Sequence, residues 1–249
     1  MKVAAYTCLH YGKEYLGYAI KGFIDHVDKY IVVYSPEPSH GTATNIPCPD
    51  TEEELKAIAE KEAGDKLEWV RVTGVHQENA HRQLAFQFVD SSFDLMAVVD
   101  YDEVWSPKKF KEACSYAMEC QARNVGVNGI SWVTLWKSFN EYVTDGFAPI
   151  RFHNLRAKNN YQNLDCRGEI YHFGYCISDE IMNYKKQIHG HQDWKPFWYN
   201  DIWLNYKKGE TTHLHPCTNS YWVETQEFDK ARLPKFMREH PRYSENSLT

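Results

Sequence analysis

The sequence predicts an α/β fold, a largely parallel sheet covered by helices on both faces and joined to a mixed, aromatic-rich second half. Three observations predict it. Short apolar runs alternate with amphipathic helical stretches over residues 1–123, as strands buried on both faces of a parallel sheet do. From about residue 124 strand-like runs follow one another without intervening helices. Aromatic residues make up 15% of the 249 residues, with 17 Tyr and 8 Trp; such side chains fill cores and also stack on flat ligand faces.

The elements follow in order. Residues 2–9, KVAAYTCL, read as a buried strand. Over 14–28, Leu16, Ile20, Phe23, Ile24 and Val27 share one helical face. YIVVYS (30–35) is a second strand, and the Pro-, Gly- and Ser/Thr-rich stretch after it is a loop. Thr51 with Glu54 has the capping-box spacing, and acidic residues fill the first turn of the helix it opens. LEWVRVT (67–73) is a third strand, 77–91 a third helix and 94–100 a fourth strand. Pro107 starts the next helix at a position proline tolerates. VGVNGISWVTLW, FAPIRFHNL and EIYHFGYCI read as strands, and helices are expected over 178–189 and 197–208. With no linker, repeat or low-complexity segment, residues 1–249 read as one domain, its halves meeting near 123/124.

Composition narrows the function. A net charge of −6 leaves no basic footprint for nucleic acid or an anionic membrane. The N-terminal residues do not resemble a signal peptide, and no window approaches the ~20 apolar residues of a membrane span. Seven cysteines, Cys8, Cys48, Cys114, Cys120, Cys166, Cys176 and Cys217, show no CxxC spacing. Reduced thiols in a cytoplasmic protein are the expectation.

The chemistry concentrates in DLMAVVDYDEVW (94–105), where an apolar strand runs into Asp100, Asp102 and Glu103. Ligands of open α/β sheets bind beyond the carboxyl ends of the strands. In an extended chain the i and i+2 side chains point the same way, so Asp100 and Asp102 would face one cleft. Glu103 is then left mainly to the turn. Two such carboxylates suit Mg²⁺ or Mn²⁺, which take oxygen ligands together with substrate phosphates.

This organisation, with DYDE at the end of a central strand, resembles the GT-A class of sugar-nucleotide glycosyltransferases. The segment 169–194 is similar to glycosyltransferase family 17, β1,4-N-acetylglucosaminyltransferases, in His172-Phe173-Gly174-Tyr175, Asp179-Glu180, Lys185 or Lys186, and His191-Gln192-Asp193-Trp194. Gly174 stands where that family has Ser, and Trp194 where it has Tyr. The resemblance implies a GT-A-like, Rossmann-like sheet, residues 1–123 binding the nucleotide sugar and 124–249 the acceptor. It implies metal ligands Asp100, Asp102 and His172, with His189 and His191 as alternatives. Implied nucleotide contacts are Tyr6, Thr7, Cys8, Arg82, Asp100 and Tyr101, and Tyr34 to Glu37 share their edge. His81, His213 and His215 read as ordinary loop or surface residues.

The reaction so implied moves a sugar from a nucleoside-diphosphate donor, UDP being the expected carrier, to a hydroxyl of a glycan or another acceptor. Mn²⁺ or Mg²⁺ is the expected cofactor. A base is needed on the acceptor hydroxyl, usually a carboxylate; Asp179, Glu169, Asp193 and Glu180 are the candidates. The Trp-bearing stretches 131–139 and 193–203 are candidates for the acceptor groove. Two other classes stand beside this one, a nucleotidyltransferase acting on sugar phosphates and a non-catalytic carbohydrate-binding protein. Residues 6–14 contain one Gly and no Gly-rich phosphate loop, which the former would carry.

Overall fold

Strands apolar on both faces must be covered on both, and the first half of the chain meets this demand in parallel. In the computed structural model, which describes residues 1–38, 44–74, 77–144, 146–164, 168–189, 194–209, 212–218 and 222–244, β1 (Val3–Leu9) pairs in parallel with β2 (Lys29–Tyr34), and β2 with β3 (Leu67–Arg71). β4 (Leu95–Val98) pairs in parallel with the other edge of β1. The chain therefore runs β1, β2, β3 in one direction across the sheet and then returns to lie on the far side of β1. That reversal is a topological switch point between β1 and β4.

Alternation along the strands assigns the two faces. Val3, Ala5, Leu9, Tyr30 and Val32 pack with Leu16 and Ile20 of α1 (Lys13–Lys21), Leu55 and Ala59 of α2 (Glu52–Ala63), and Phe110 and Ala113 of a later helix. Tyr6, Ile31, Val33 and Val98 face the other way, toward Ala85 and Phe86 just beyond α3 (Glu78–Leu84). The capping box forms as its spacing predicts: Glu54 N–H donates to Thr51 Oγ1 (3.2 Å) and Thr51 N–H to Glu54 Oε2 (3.0 Å). Two helices end sooner than the periodicity suggests. α1 stops at Lys21 before a 3₁₀ turn at Ile24–His26, and α3 gives way to 3₁₀ geometry at Ala85–Phe88.

A short strand unread in the sequence, β5 (Glu103–Trp105), begins a second sheet. α4 (Pro107–Ala122) follows, with Pro107 in its first turn. Then come β6 (Val127–Gly129), β7 (Trp132–Trp136), β8 (Glu141–Thr144), β9 (Ile150–Asn154), β10 (Gln162–Leu164), β11 (Ile170–Tyr175), α5 (Asp179–Ile188) and β12 (Gln226–Glu227). The large sheet has the order β10-β6-β9-β4-β1-β2-β3, with β9 antiparallel to both β4 and β6. The small sheet has the order β12-β8-β7-β11-β5. In place of the helix expected over 197–208 there is one wide π-helical turn at Tyr199–Trp203. Its Trp203 joins Trp136 and Trp198 in the core of the second half. Six described cysteines are free thiols, and Cys166 lies outside the described residues. No described helix is long and apolar enough to cross a membrane.

The second core also holds a histidine. His240 is 2% exposed, and its ring lies 4.7 Å from that of Tyr15. Burial pushes its pKa down to about 4. The native value thus lies below the unfolded one, so its contribution is whole above pH 6.5 and is lost as pH falls toward 4. Its size is about 3 kcal/mol at most. His240→Gln should therefore flatten the fall in unfolding free energy between pH 6.5 and 4.5, read by urea denaturation. An unchanged slope would remove this histidine from the acid sensitivity of the fold.

Candidate active site

The acidic run lies where the chain leaves one sheet for the other. β4 ends at Val98, a tight turn closes with Glu103 N–H on the Asp100 carbonyl (3.0 Å), and β5 starts at Glu103. β5 pairs antiparallel with β11, placing His172 opposite Glu103. A cavity of about 930 Å³ opens here, beyond the carboxyl ends of β1 and β4. The end of β1 contributes Cys8 to Tyr11, α3 contributes His81 and Arg82, and the turn contributes Asp100 to Asp102. His172, Tyr175 and Lys185 close it from the second half.

The three carboxylates have three different fates. Glu103, expected in the turn, is wholly buried. Arg151 on β9, itself 4% exposed, donates through Nε to Glu103 Oε1 (2.9 Å) and through Nη2 to Asp100 Oδ2 (2.8 Å). Trp132 Nε1 also donates to Glu103. The second oxygen of Asp100 lies 3.3 Å from Arg82 Nη2, and Arg82 also pairs with Glu78. Burial raises the Glu103 carboxyl above its usual range although Arg151 opposes this. For Asp100 burial acts the same way, but Arg82 and Arg151 outweigh it and hold the group ionised.

Asp102 faces elsewhere. Its Oδ2 lies 3.7 Å from His172 Nε2 and 3.8 Å from Lys185 Nζ. Burial pushes His172 down to about 4, so its imidazole is neutral near pH 7. Thr134 Oγ1 stands 3.4 Å from His172 Nδ1, and the Trp132 ring stacks on the imidazole at 4.3 Å. Lys185 Nζ donates to the Gly174 carbonyl (2.9 Å) and lies over the Tyr175 ring. Gly174 holds this point open. A Cβ there would come within 2.6 Å of His172 Nε2, 2.7 Å of Asp102 Oδ2 and 2.9 Å of Lys185 Nζ.

The expected nucleotide contacts divide. Cys8, Arg82, Asp100 and Tyr101 line the cavity. Tyr6 is packed beneath it at 1% exposure, and Thr7 is a brace that donates to the Val99 carbonyl (2.7 Å) and accepts from Tyr30 (2.8 Å). Tyr101 is wedged against Tyr11 and under Gly12, whose positive φ of 134° lets the loop pass; a Cβ there would meet the ring at 2.1 Å.

Among the expected bases, Glu169 pairs with Arg232 and accepts from Tyr171 (2.7 Å), while Asp179 accepts from Trp203 Nε1 (2.7 Å). Neither is among the cavity-lining residues, nor is Glu180. Asp193 and His191 lie outside the described residues. His81 and His215, read as ordinary loop or surface residues, both line the cavity, and His81 is 3% exposed. His189, Trp132, Trp194 and Trp222 line it too, whereas Trp136, Trp198 and Trp203 are core.

The three expected metal ligands do not form one set as they stand, since the Asp100 oxygens are turned to Arg151 and Arg82. Among the described residues no three His, Cys, Asp or Glu side chains are grouped to hold a metal ion. Asp102 and His172 do face each other across a gap too wide for a hydrogen bond. A carboxylate-type oxygen and an imidazole nitrogen so placed are ligand types that suit a divalent cation whose remaining ligands are substrate phosphates.

No protein-family model and no curated protein matches the chain. Similar solved structures include TarS of S. aureus, at 13% identity over 54% of this chain and 36% of that one, with a TM-score of 0.39. Another is glucosyl-3-phosphoglycerate synthase of Mycobacterium tuberculosis, determined with Mg²⁺ and uridine diphosphate, at 11% identity over 53% and 43% and a TM-score of 0.37. A third is 4-diphosphocytidyl-2C-methyl-D-erythritol synthase of Anaerococcus prevotii, at 13% identity over 73% and 95%, with a TM-score of 0.37. The matches cover less than half of the first two of these chains.

The pairing at the turn has a measurable consequence. Arg151→Met would leave Glu103 buried without its cation, a change that typically costs about 3–5 kcal/mol. Adding Glu103→Gln removes the stranded charge and should restore part of the loss. Urea denaturation of the two variants at pH 8 decides it; a single variant within 1 kcal/mol of wild type would contradict the assignment.

Proposed function

We propose that this chain is a GT-A-like glycosyltransferase, moving a sugar from a nucleoside-diphosphate donor, UDP in the first instance, to an acceptor hydroxyl. One observation carries the reading. Asp102, His172 and Lys185 converge on an open point beside Gly174, next to the switch point where α/β sheets bind their ligands. A cavity of about 930 Å³ is at the large end of the range for small-molecule sites, as a nucleotide sugar requires.

The charges suit a diphosphate. Arg82 and Lys185 stand on either side of the acidic turn and line the cavity, so a dianionic group between them meets two cations. Asp102 and His172 are the residues proposed to hold Mn²⁺ or Mg²⁺, with Asp100 keeping Arg82 and Arg151 in place behind them. Bound there, the ion would supply Lewis-acid stabilisation of the departing diphosphate. Cys8 and Tyr101 border the nucleotide, and their neighbours Tyr6 and Thr7 act from beneath by fixing the end of β1. The indole-bearing walls, Trp132, Trp194 and Trp222, suit the apolar faces of a sugar acceptor. Asp193, which lies outside the described residues, stays a candidate for the base on the acceptor hydroxyl. Glu169, paired with Arg232, and Asp179, which accepts from Trp203, are proposed as braces of the second half rather than as the base. An N-acetylglucosamine donor, as in family 17, is the first sugar to try.

Asp102→Asn keeps the size of the side chain and removes its charge. Transfer from a UDP-sugar in the presence of Mn²⁺ should fall about a hundredfold or more. Asp102 is 6% exposed and lies beside Lys185, so the melting temperature should fall as well, and transfer is compared at a temperature where both proteins are folded. Full transfer by this variant would reject the site; a wild-type protein whose melting temperature no nucleotide sugar raises would reject the function.

A further inference from the structure

Lys185 is more than a tie between α5 and β11. Its ammonium stands 3.8 Å from Asp102 Oδ2 and 2.9 Å from the Gly174 carbonyl oxygen, beside the gap that separates Asp102 from His172. Its side chain is 20% exposed and lines the cavity. A divalent ion entering that gap would set two cations against one carboxylate, an unfavourable arrangement in a poorly solvated site. The arrangement becomes favourable only when further negative charge arrives. Resting on the glycosyltransferase reading, we propose that Lys185 is the resident counter-cation of Asp102, yielding that carboxylate to the metal and turning to the incoming diphosphate. Lys185 thereby makes metal and donor binding depend on each other.

The proposal has a signature with opposite signs. Without nucleotide, Lys185 competes with the metal, so Lys185→Met should bind Mn²⁺ alone about fivefold more tightly than wild type. With the diphosphate present the same lysine is an attractive partner, so Lys185→Met should bind UDP in Mn²⁺ about tenfold more weakly. UMP, lacking the second phosphate, should be affected less than UDP. By linkage, the factor by which UDP tightens Mn²⁺ binding in wild type must shrink in the variant. A lysine that only anchors α5 would predict lower stability and no tightening for bare metal.

Titration calorimetry with Mn²⁺ alone, UDP in Mn²⁺ and UMP in Mn²⁺ reads all of these quantities. Lys185→Gln retains a donor for the Gly174 carbonyl and serves if the methionine variant does not fold. Tighter bare Mn²⁺ together with weaker UDP supports the proposal. Bare Mn²⁺ binding that is unchanged or weaker overturns it while leaving the glycosyltransferase reading intact, provided that wild type binds UDP. Wild type that binds no UDP overturns both.

Discussion

Arg151 makes the acidic turn possible. A carboxylate taken out of water costs several kcal/mol unless a cation and hydrogen bonds replace its solvation, and this turn holds Glu103 wholly buried and Asp100 largely so at the cavity wall. The guanidinium of Arg151, projecting from β9 of the large sheet, answers both at once, Asp100 at the end of β4 and Glu103 at the start of β5. Its planar fork is the reason an arginine can do this and a lysine would do it poorly. Because β5 belongs to the small sheet, the same contact ties the two sheets together where the cavity opens. Asp102 is left as the acid that faces His172 and Lys185.

Much of the first half was legible because its signals are local. Buried strands and amphipathic helices declare themselves by periodicity, the Thr51 capping box by spacing, and Pro107 by its backbone. The position of the acidic run at a carboxyl edge follows from that alternation. The roles within it do not. An extended chain would put Asp100 and Asp102 on one side; the chain turns at Asp100, so both line the cavity but meet different partners, and Glu103 starts a strand rather than completing a loop. Glu103 can be buried because Arg151, 48 positions away on β9 of the other sheet, pairs with it, a separation that no local pattern encodes. One signal did exist. An arginine inside the apolar run FAPIRFHNL is costly unless it is paired, so it points to an acid elsewhere.

In the second half the elements are short and take their form from packing. β5, β6 and β10 have three residues each and β12 two, too few for periodicity to register. The stretch at 197–208 reads as a helix in the sequence, yet the wide turn at Tyr199–Trp203 delivers Trp203 against Trp136 and the Asp179 carboxylate. His172 could be read as core or as ligand from its sequence, and it has features of both: its ring is stacked on Trp132 while Nε2 looks toward Asp102. Gly174, legible only as a departure from a family pattern, has a physical meaning here. It keeps clear the space that three polar side chains share.

The central claim is that this space receives the diphosphate and its metal. The most direct test is a crystal structure with UDP and Mn²⁺, using anomalous scattering to locate the ion independently of the protein atoms. The account predicts an anomalous peak between Asp102 and His172, with diphosphate oxygens completing its coordination on the side of Gly174. A peak at Asp100 with Arg82 and Arg151 displaced, or a diphosphate bound away from the β4–β5 turn, would contradict it.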